Sequence, residues 1–424
     1  MATTAFFALL CLASYSSGLQ IKIEGQRDVR PGHELLRRGL NIDGTAALTN
    51  VADTSYYTNL TLDGQFFTVR IDTGSSDLWV AGNITDSIDT GAMSGIVYAD
   101  GSGAKGPVKL STLEFAGYTV QDQAFLQVTP DSENPIGMGI IGLGPTSGST
   151  IYNALNNSVG YPVLDRIFLQ NTSTPNYLTV LLGRTQDPSD VFPGEISIGE
   201  LLDGYSDVQS EPKLEVTIVP DGNSVYQHFQ ILLDEDGIIG PDGKPISIIT
   251  GVNQTSNPRQ ATAVLDTGFS LSQVPKSVAD AIYSRFSGAE YNNVTGIGEV
   301  WIVPCDEEVN ITFKFGGNSY YIHPLDATMD ASLLGITDVV NSQGQPSCIG
   351  SFQPLSFTPS SPTFDIVLGM SFLRNVYAVL NYGDFVAGGN DTTIRGHPYV
   401  QFLSTTDPTE AYSDFVAVRL NGLA

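Results

Sequence analysis

Two short stretches of this 424-residue chain follow one pattern. Val69-Arg-Ile-Asp72-Thr73-Gly74-Ser75-Ser76 is answered, 194 residues later, by Ala263-Val-Leu-Asp266-Thr267-Gly268-Phe269-Ser270. In each, an apolar run with strand character ends on an aspartate, an expensive placement unless the carboxyl is paired or used. One Asp-Thr-Gly alone is a common turn. Two copies, each later followed by an apolar pair and a glycine (Ile140-Ile141-Gly142 and Val367-Leu368-Gly369), make an internal near-repeat, and two related lobes could bring both aspartates together.

Two adjacent carboxyls cannot both ionise easily, so one keeps its proton. The ionised member would take a proton from a water that attacks a carbonyl. The protonated member would donate to the carbonyl oxygen, giving general acid–base hydrolysis without a covalent intermediate. Gly74 and Gly268 permit close backbone approach and offer N–H groups to the carboxylates.

The elements that must hold these loops read mainly as strands. Phe67–Ile71, Glu195–Gly199, Leu214–Ile218 and Asn310–Phe315 alternate apolar and polar residues. The strongest helix pattern runs from Lys276 to Ser287 behind Pro275, with Val278, Ile282 and Phe286 on one face. Plentiful glycine (44) and proline (23) with only 15% charged residues agree with many short strands and turns.

The formal net charge of −26 argues against nucleic acid as the main partner, and 41% hydrophobic residues exclude a disordered chain. Residues 1–18 read as a secretory signal: an apolar core, Ala5 to Ala13, precedes small residues and is too short to span a bilayer. No later segment reads as a membrane span. Residues 19–38 carry net +2 against −28 for residues 39–424, which suggests a pro-segment held by charge, with Arg37-Arg38 as a processing site. Cys11 leaves with the signal, so Cys305 and Cys348 are expected to pair in an oxidising compartment, worth on the order of 4 kcal/mol by chain entropy. Eight glycosylation sequons, at Asn59, Asn83, Asn156, Asn171, Asn253, Asn293, Asn310 and Asn390, agree with secretion.

Over nearly the whole length after residue 45, the sequence resembles the pepsin-like aspartic endopeptidases, in a secreted, fungal-type form. Phe67 to Val80 is similar to that family's first active-site motif, Ala263 to Leu271 to its second, and Asp365 to Tyr377 to its C-terminal Leu-Gly stretch. The resemblance implies an all-β, bilobal fold with the active site in the cleft. Residues 46–212 would form the first lobe and 213–424 the second, behind a signal at 1–18 and a pro-segment at 19–45.

It further implies Asp72 and Asp266 as the catalytic pair. Thr73 and Thr267 would cross-brace the loops, and Ser75 would bond Asp72. Val97 to Gly103 would form the flap, with Tyr98 beside Trp79 and with Asp100 and Gly101 against the substrate backbone. Ile140 would line the pocket for the residue on the acyl side of the cut bond, and Cys305–Cys348 would be the second lobe's disulfide. The implied activity is acid hydrolysis of internal peptide bonds by a monomer made as a zymogen. It would need no cofactor or metal and be blocked by pepstatin-type inhibitors. The implied partners are polypeptide substrates and the protein's own pro-segment, with no nucleic acid and no membrane. The location would be extracellular, or alternatively vacuolar. The rival reading is a catalytically weak binding or inhibitor protein on the same fold.

Three departures stand out. Phe269 occupies a position where the family has Thr or Ser, so Asp266 should lose a bond to its charged form and titrate higher. Ala99 replaces a flap glycine. The stretch from Trp79 to Tyr98 is short and lacks a cysteine pair, which suggests a more open cleft on that side. Gly137-Met-Gly139-Ile-Ile-Gly142 matches a dinucleotide fingerprint only as a string, since no helix pattern follows it. The four histidines, His33, His228, His323 and His397, lack metal-ligand spacing.

Overall fold

The strand Gln65–Asp72 buries Phe67, Val69 and Ile71 on one face, while Phe66 on the other is 76% exposed. Side chains alternate along a strand, so this pattern alone sets which face turns to the core. Full burial of each such side chain is worth about 1.5–3 kcal/mol. The computed structural model describes residues 44–99, 101–170, 174–185, 187–188, 192–220, 223–355, 362–386 and 396–422. The expected signal, most of the pro-segment with Arg37-Arg38, flap residue Asp100, and sequons Asn171 and Asn390 lie outside the described residues.

Gln65–Asp72 runs parallel to Met138–Gly142, with Asp72 opposite Gly142, and Leu78–Ala81 pairs antiparallel on the far side of Met138–Gly142. These strands belong to an eight-stranded sheet that also holds Ser55–Leu62, Ile88–Val97, Gly103–Phe115 and Tyr118–Val128. The second half repeats the device. Thr262–Leu265 runs parallel to Ile366–Leu368, with Leu265 opposite Leu368, and Ser272–Val274 flanks it antiparallel. Every residue of Thr262–Leu265 and Ile366–Leu368 is buried, as parallel strands covered on both faces require.

A six-stranded sheet joins the halves. Thr45–Ala47, Gly194–Ile198 and Tyr177–Leu182 continue into Val376–Asn381, Tyr399–Ser404 and Leu214–Glu215. The fold is thus the expected mainly β, bilobal one. A buried ion cluster reinforces the junction. The Asp326 carboxylate accepts from Arg184 Nε and Arg374 Nε, both at 2.6 Å, and Arg374 also donates to the Asp53 carbonyl at 2.8 Å. Burial pushes the Asp326 carboxyl up, but Arg184, Arg374 and His323 outweigh it and hold it below the ordinary carboxylate range.

Two expected elements are shorter than their patterns. Leu214–Ile218 is a strand only over Leu214–Glu215, because Thr217 N–H turns to the Gln230 carbonyl and Ile218 faces solvent. The helix from Lys276 ends at Tyr283, with Val278 and Ile282 buried and Phe286 packed on the core beyond it. Several helices went unforeseen, among them Val163–Gln170 and Pro408–Arg419. Pro408–Arg419 starts from an Asp407 cap that accepts from Thr409 and Glu410 N–H, and it buries only Ala411 and Phe415. Cys305 and Cys348 form the expected disulfide.

Candidate active site

Each Asp-Thr-Gly loop is the exit of one buried strand, and the two loops meet. Thr73 N–H donates to Thr267 Oγ1 and Thr267 N–H to Thr73 Oγ1, both at 3.0 Å. Each hydroxyl then donates across the interface, Thr73 to the Leu265 carbonyl at 2.9 Å and Thr267 to the Ile71 carbonyl at 3.2 Å. The register of the two lobes is therefore set by four bonds between the residues adjoining the aspartates.

Asp72 and Asp266 are both buried, and their carboxyls lie side by side where the two loops meet. A β-carbon on Gly268 would stand 2.6 Å from Asp72 Oδ1, and one on Gly74 would collide with the Asp266 carboxyl. Only glycine lets each loop pass this close to the opposite aspartate. Asp72 accepts from Gly74 N–H at 2.9 Å and from Ser75 Oγ at 2.6 Å. Asp266 accepts from Gly268 N–H at 2.7 Å. Burial first, and then the charge of Asp72, push the Asp266 carboxyl well above the usual carboxylate range; Gly268 N–H and Arg70 pull the other way. Two buried carboxyls this close favour sharing one proton between them.

Over the pair stands a hairpin of Ile88–Val97 and Gly103–Phe115, in which Val97 faces Gly103. Its tip closes through Tyr98 N–H to the Ser102 carbonyl at 2.9 Å and Gly101 N–H to the Tyr98 carbonyl at 3.0 Å. Gly101 takes φ 82°, a conformation that suits glycine. Trp79 Nε1–H donates to Tyr98 Oη at 2.7 Å. Burial, with the charge of Asp72 next, raises the Tyr98 phenol, so it stays a neutral partner for Trp79. Ile140 is buried between Trp79 and Arg70 in the sheet register.

Two residues beside this site were not singled out from sequence. The His228 ring lies near the Gly74 backbone and meets Phe364 edge-on. Burial pulls its pKa down to about 4, against the opposing pull of Asp72 and of that backbone. Arg70, two residues before Asp72 on the same strand face, is the other. Its signal was present in the sequence, since a period of two places residue 70 with 72 and opposite 69 and 71.

Comparison with known proteins agrees with this geometry. Residues 242–388 match the family model described as eukaryotic aspartyl protease. The chain is 29% identical over 380 residues to major aspartyl peptidase 1 of Cryptococcus neoformans, covering 84% of this chain and 73% of that protein. In family model and in relatives alike, the chain is similar to the pepsin-like aspartic peptidases. It is therefore an enzyme of peptide-bond hydrolysis. Vacuolar protease A of Arthroderma otae is 24% identical over 413 residues, covering 87% of this chain and 89% of that one. Among solved structures, the aspartic proteinase from Irpex lacteus superposes with a TM-score of 0.64 at 19% identity, covering 87% of this chain and 99% of that one, a likeness of fold.

Proposed function

We propose that the protein is a secreted acid endopeptidase that cuts internal peptide bonds with Asp72 and Asp266. The observation that carries this reading is the pair of buried carboxyls brought side by side by two Asp-Thr-Gly loops that Thr73 and Thr267 lock together. Asp72 then acts as general base. It takes a proton from water as the water oxygen attacks the scissile carbonyl carbon, and Asp266 gives its proton to the carbonyl oxygen. As the tetrahedral intermediate collapses, the proton on Asp72 passes to the leaving nitrogen, the C–N bond breaks, and one hydroxyl of the diol returns its proton to Asp266 as it becomes the product carbonyl. Thr73 and Thr267 hold the loops in register, Ser75 orients Asp72, and Tyr98, Gly101 and Asp100 of the flap cover the substrate.

The remaining parts of the reading follow from charge and sequence. Lobes of 46–212 and 213–424 sit behind a signal at 1–18 and a basic pro-segment that leaves as the acidic body loses charge at low pH. Processing after Arg38 would leave Thr45–Ala47, a strand of the joining sheet, on the mature chain. Asn59, Asn83, Asn156, Asn253 and Asn293 are exposed and Asn310 is half-buried, which supports glycosylation of the mature surface. No described helix is long and apolar enough to cross a membrane. We read the mature protein as an extracellular monomer, with the vacuole as the alternative. The test is digestion of an unfolded protein across pH 2.5–7 with and without pepstatin. Acid-side, pepstatin-blocked cleavage is expected, and cleavage that ignores pepstatin would overturn the reading.

A further inference from the structure

Arg70 lies in a transverse row of the eight-stranded sheet. The register places it between Tyr57 and Ile140, and Ile140 pairs in turn with Trp79. Val69 and Ile71 face the core on the opposite side, so residues 70 and 72 share the face that carries the catalytic pair. Trp79, Ile140 and Tyr98 pack in one cluster above this face. Arg70 thus lies beside Ile140 on the face of the catalytic pair, near enough to Tyr98 and Asp266 for its charge to act on both.

Its partners are the unusual feature. Arg70 is half-buried, and its Nε is buried without a hydrogen bond. Among the described residues it forms no ion pair, although the molecule carries 45 acidic residues against 19 basic ones. The other buried or half-buried arginines all have partners within the protein: Arg184 and Arg374 pair with Asp326, and Arg166 and Arg419 donate to backbone carbonyls, although Arg419 Nε is also left without a bond. A guanidinium presents five donors in a planar fork that matches a carboxylate bidentately, and it keeps its charge at any working pH. A half-buried arginine whose guanidinium has no partner within the protein is free to take a substrate carboxylate as one.

We propose that Arg70 sets specificity, and that the pocket for the residue immediately on the acyl side of the cut bond accepts an acidic side chain, Glu or Asp, through a charge-assisted pair with its guanidinium. This inference rests on the reading of Asp72 and Asp266 as the catalytic pair, with Ile140 in that pocket. The local cation also offsets the repulsion that a strongly anionic enzyme would exert on an acidic peptide.

The test uses activated enzyme and peptides that differ only at that position, carrying Glu, Gln or Leu, with kcat/KM measured at pH 5 and pH 3. Glu and Gln have one shape, so their ratio isolates the charge. At pH 5 the Glu peptide should be cut at least tenfold better than the Gln peptide. The advantage should shrink at pH 3, where the substrate carboxyl is protonated. In Arg70→Ile the Glu/Gln ratio should fall to about one, and the Leu peptide should become the preferred of the three. A ratio near one in the wild type at pH 5, a ratio unchanged by Arg70→Ile, or an acidic preference at another substrate position would each overturn the proposal. If Arg70→Ile does not fold, the wild-type ratio and its pH dependence decide alone. Failure of the wild type to cut any peptide or any unfolded protein would overturn the dyad reading itself, an outcome distinct from cleavage without acidic preference.

Discussion

Thr73 and Thr267 hold each other's backbone: each hydroxyl accepts the other's N–H at 3.0 Å, and each donates in turn to a carbonyl of the opposite strand. Residues 194 positions apart thus make one rigid unit directly beneath the two aspartates. Reacting groups lose efficiency when misplaced by as little as an ångström, so this brace links the fold to the rate.

Thr73→Val removes a hydroxyl that serves both an N–H and a C=O. Each orphaned buried group costs about 1–3 kcal/mol. The thermal midpoint should fall, and kcat should drop by roughly tenfold or more with KM changed little, because the aspartates lose alignment rather than the substrate its contacts. Thr73→Ser keeps the hydroxyl and should retain most activity. Steady-state kinetics on both variants checks this, and a Val variant with wild-type kcat would refute the brace.

The two aspartates are supported unequally. Asp72 accepts from Gly74 N–H and Ser75 Oγ, whereas Phe269 supplies no hydroxyl to Asp266. In Phe269→Thr a hydroxyl donated to the Asp266 anion would favour ionisation and bring its raised pKa down. The alkaline limb of the pH–rate profile reports loss of the proton Asp266 holds, so it should move to lower pH by about one unit, equivalent to about 1.4 kcal/mol. Superimposable profiles on both limbs would contradict this.

His323 gives stability a pH dependence of its own. Its Nδ1 accepts from Leu325 N–H at 3.1 Å, its Nε2 faces Asp414 at 3.5 Å, and Asp326, Asp187, Arg184 and Arg374 surround it. Burial, then the charge of Arg184, pull its pKa down to about 4. Below about pH 6.5 the unfolded chain binds a proton that the folded chain refuses. The contribution of this residue is therefore intact above pH 6.5 and lost progressively as pH falls to about 4, for a total of about 2–3 kcal/mol. His323→Asn keeps an acceptor for the helix cap but cannot titrate. Urea unfolding at pH 7 and pH 4 should show a smaller loss of stability on acidification in the variant. Equal losses would count against the assignment.

Much of this site was legible because its parts are local in sequence. An apolar run with period two, closed by Asp-Thr-Gly, announces a strand and its exit turn, and the repeat announces a second one. The threonine brace and the glycine contacts follow from the same six residues. Arg70 and His228 were less visible for a different reason. Arg70 looks like an ordinary exposed strand residue until the register shows Ile140 beside it, and His228 reaches Gly74 only through the meeting of the two halves. The helix Pro408–Arg419 escaped because it buries just Ala411 and Phe415, too few apolar positions to mark a face. Leu214–Ile218 alternated like a strand, but its last residues exchange the sheet edge for Gln230, a long-range choice that no local pattern encodes.

The central claim is that Asp72 and Asp266 act as one proton-sharing pair. The most direct measurement compares wild type, Asp72→Asn and Asp266→Asn in cleavage of an unfolded protein across pH 2.5–7, each variant shown to be folded and freed of residues 19–38. The account predicts acid-side cleavage by the wild type that pepstatin blocks, and a loss of at least a thousandfold in each single variant, since neither carboxyl works without the other. Substantial cleavage by either folded variant, with the wild-type pH profile, would contradict it.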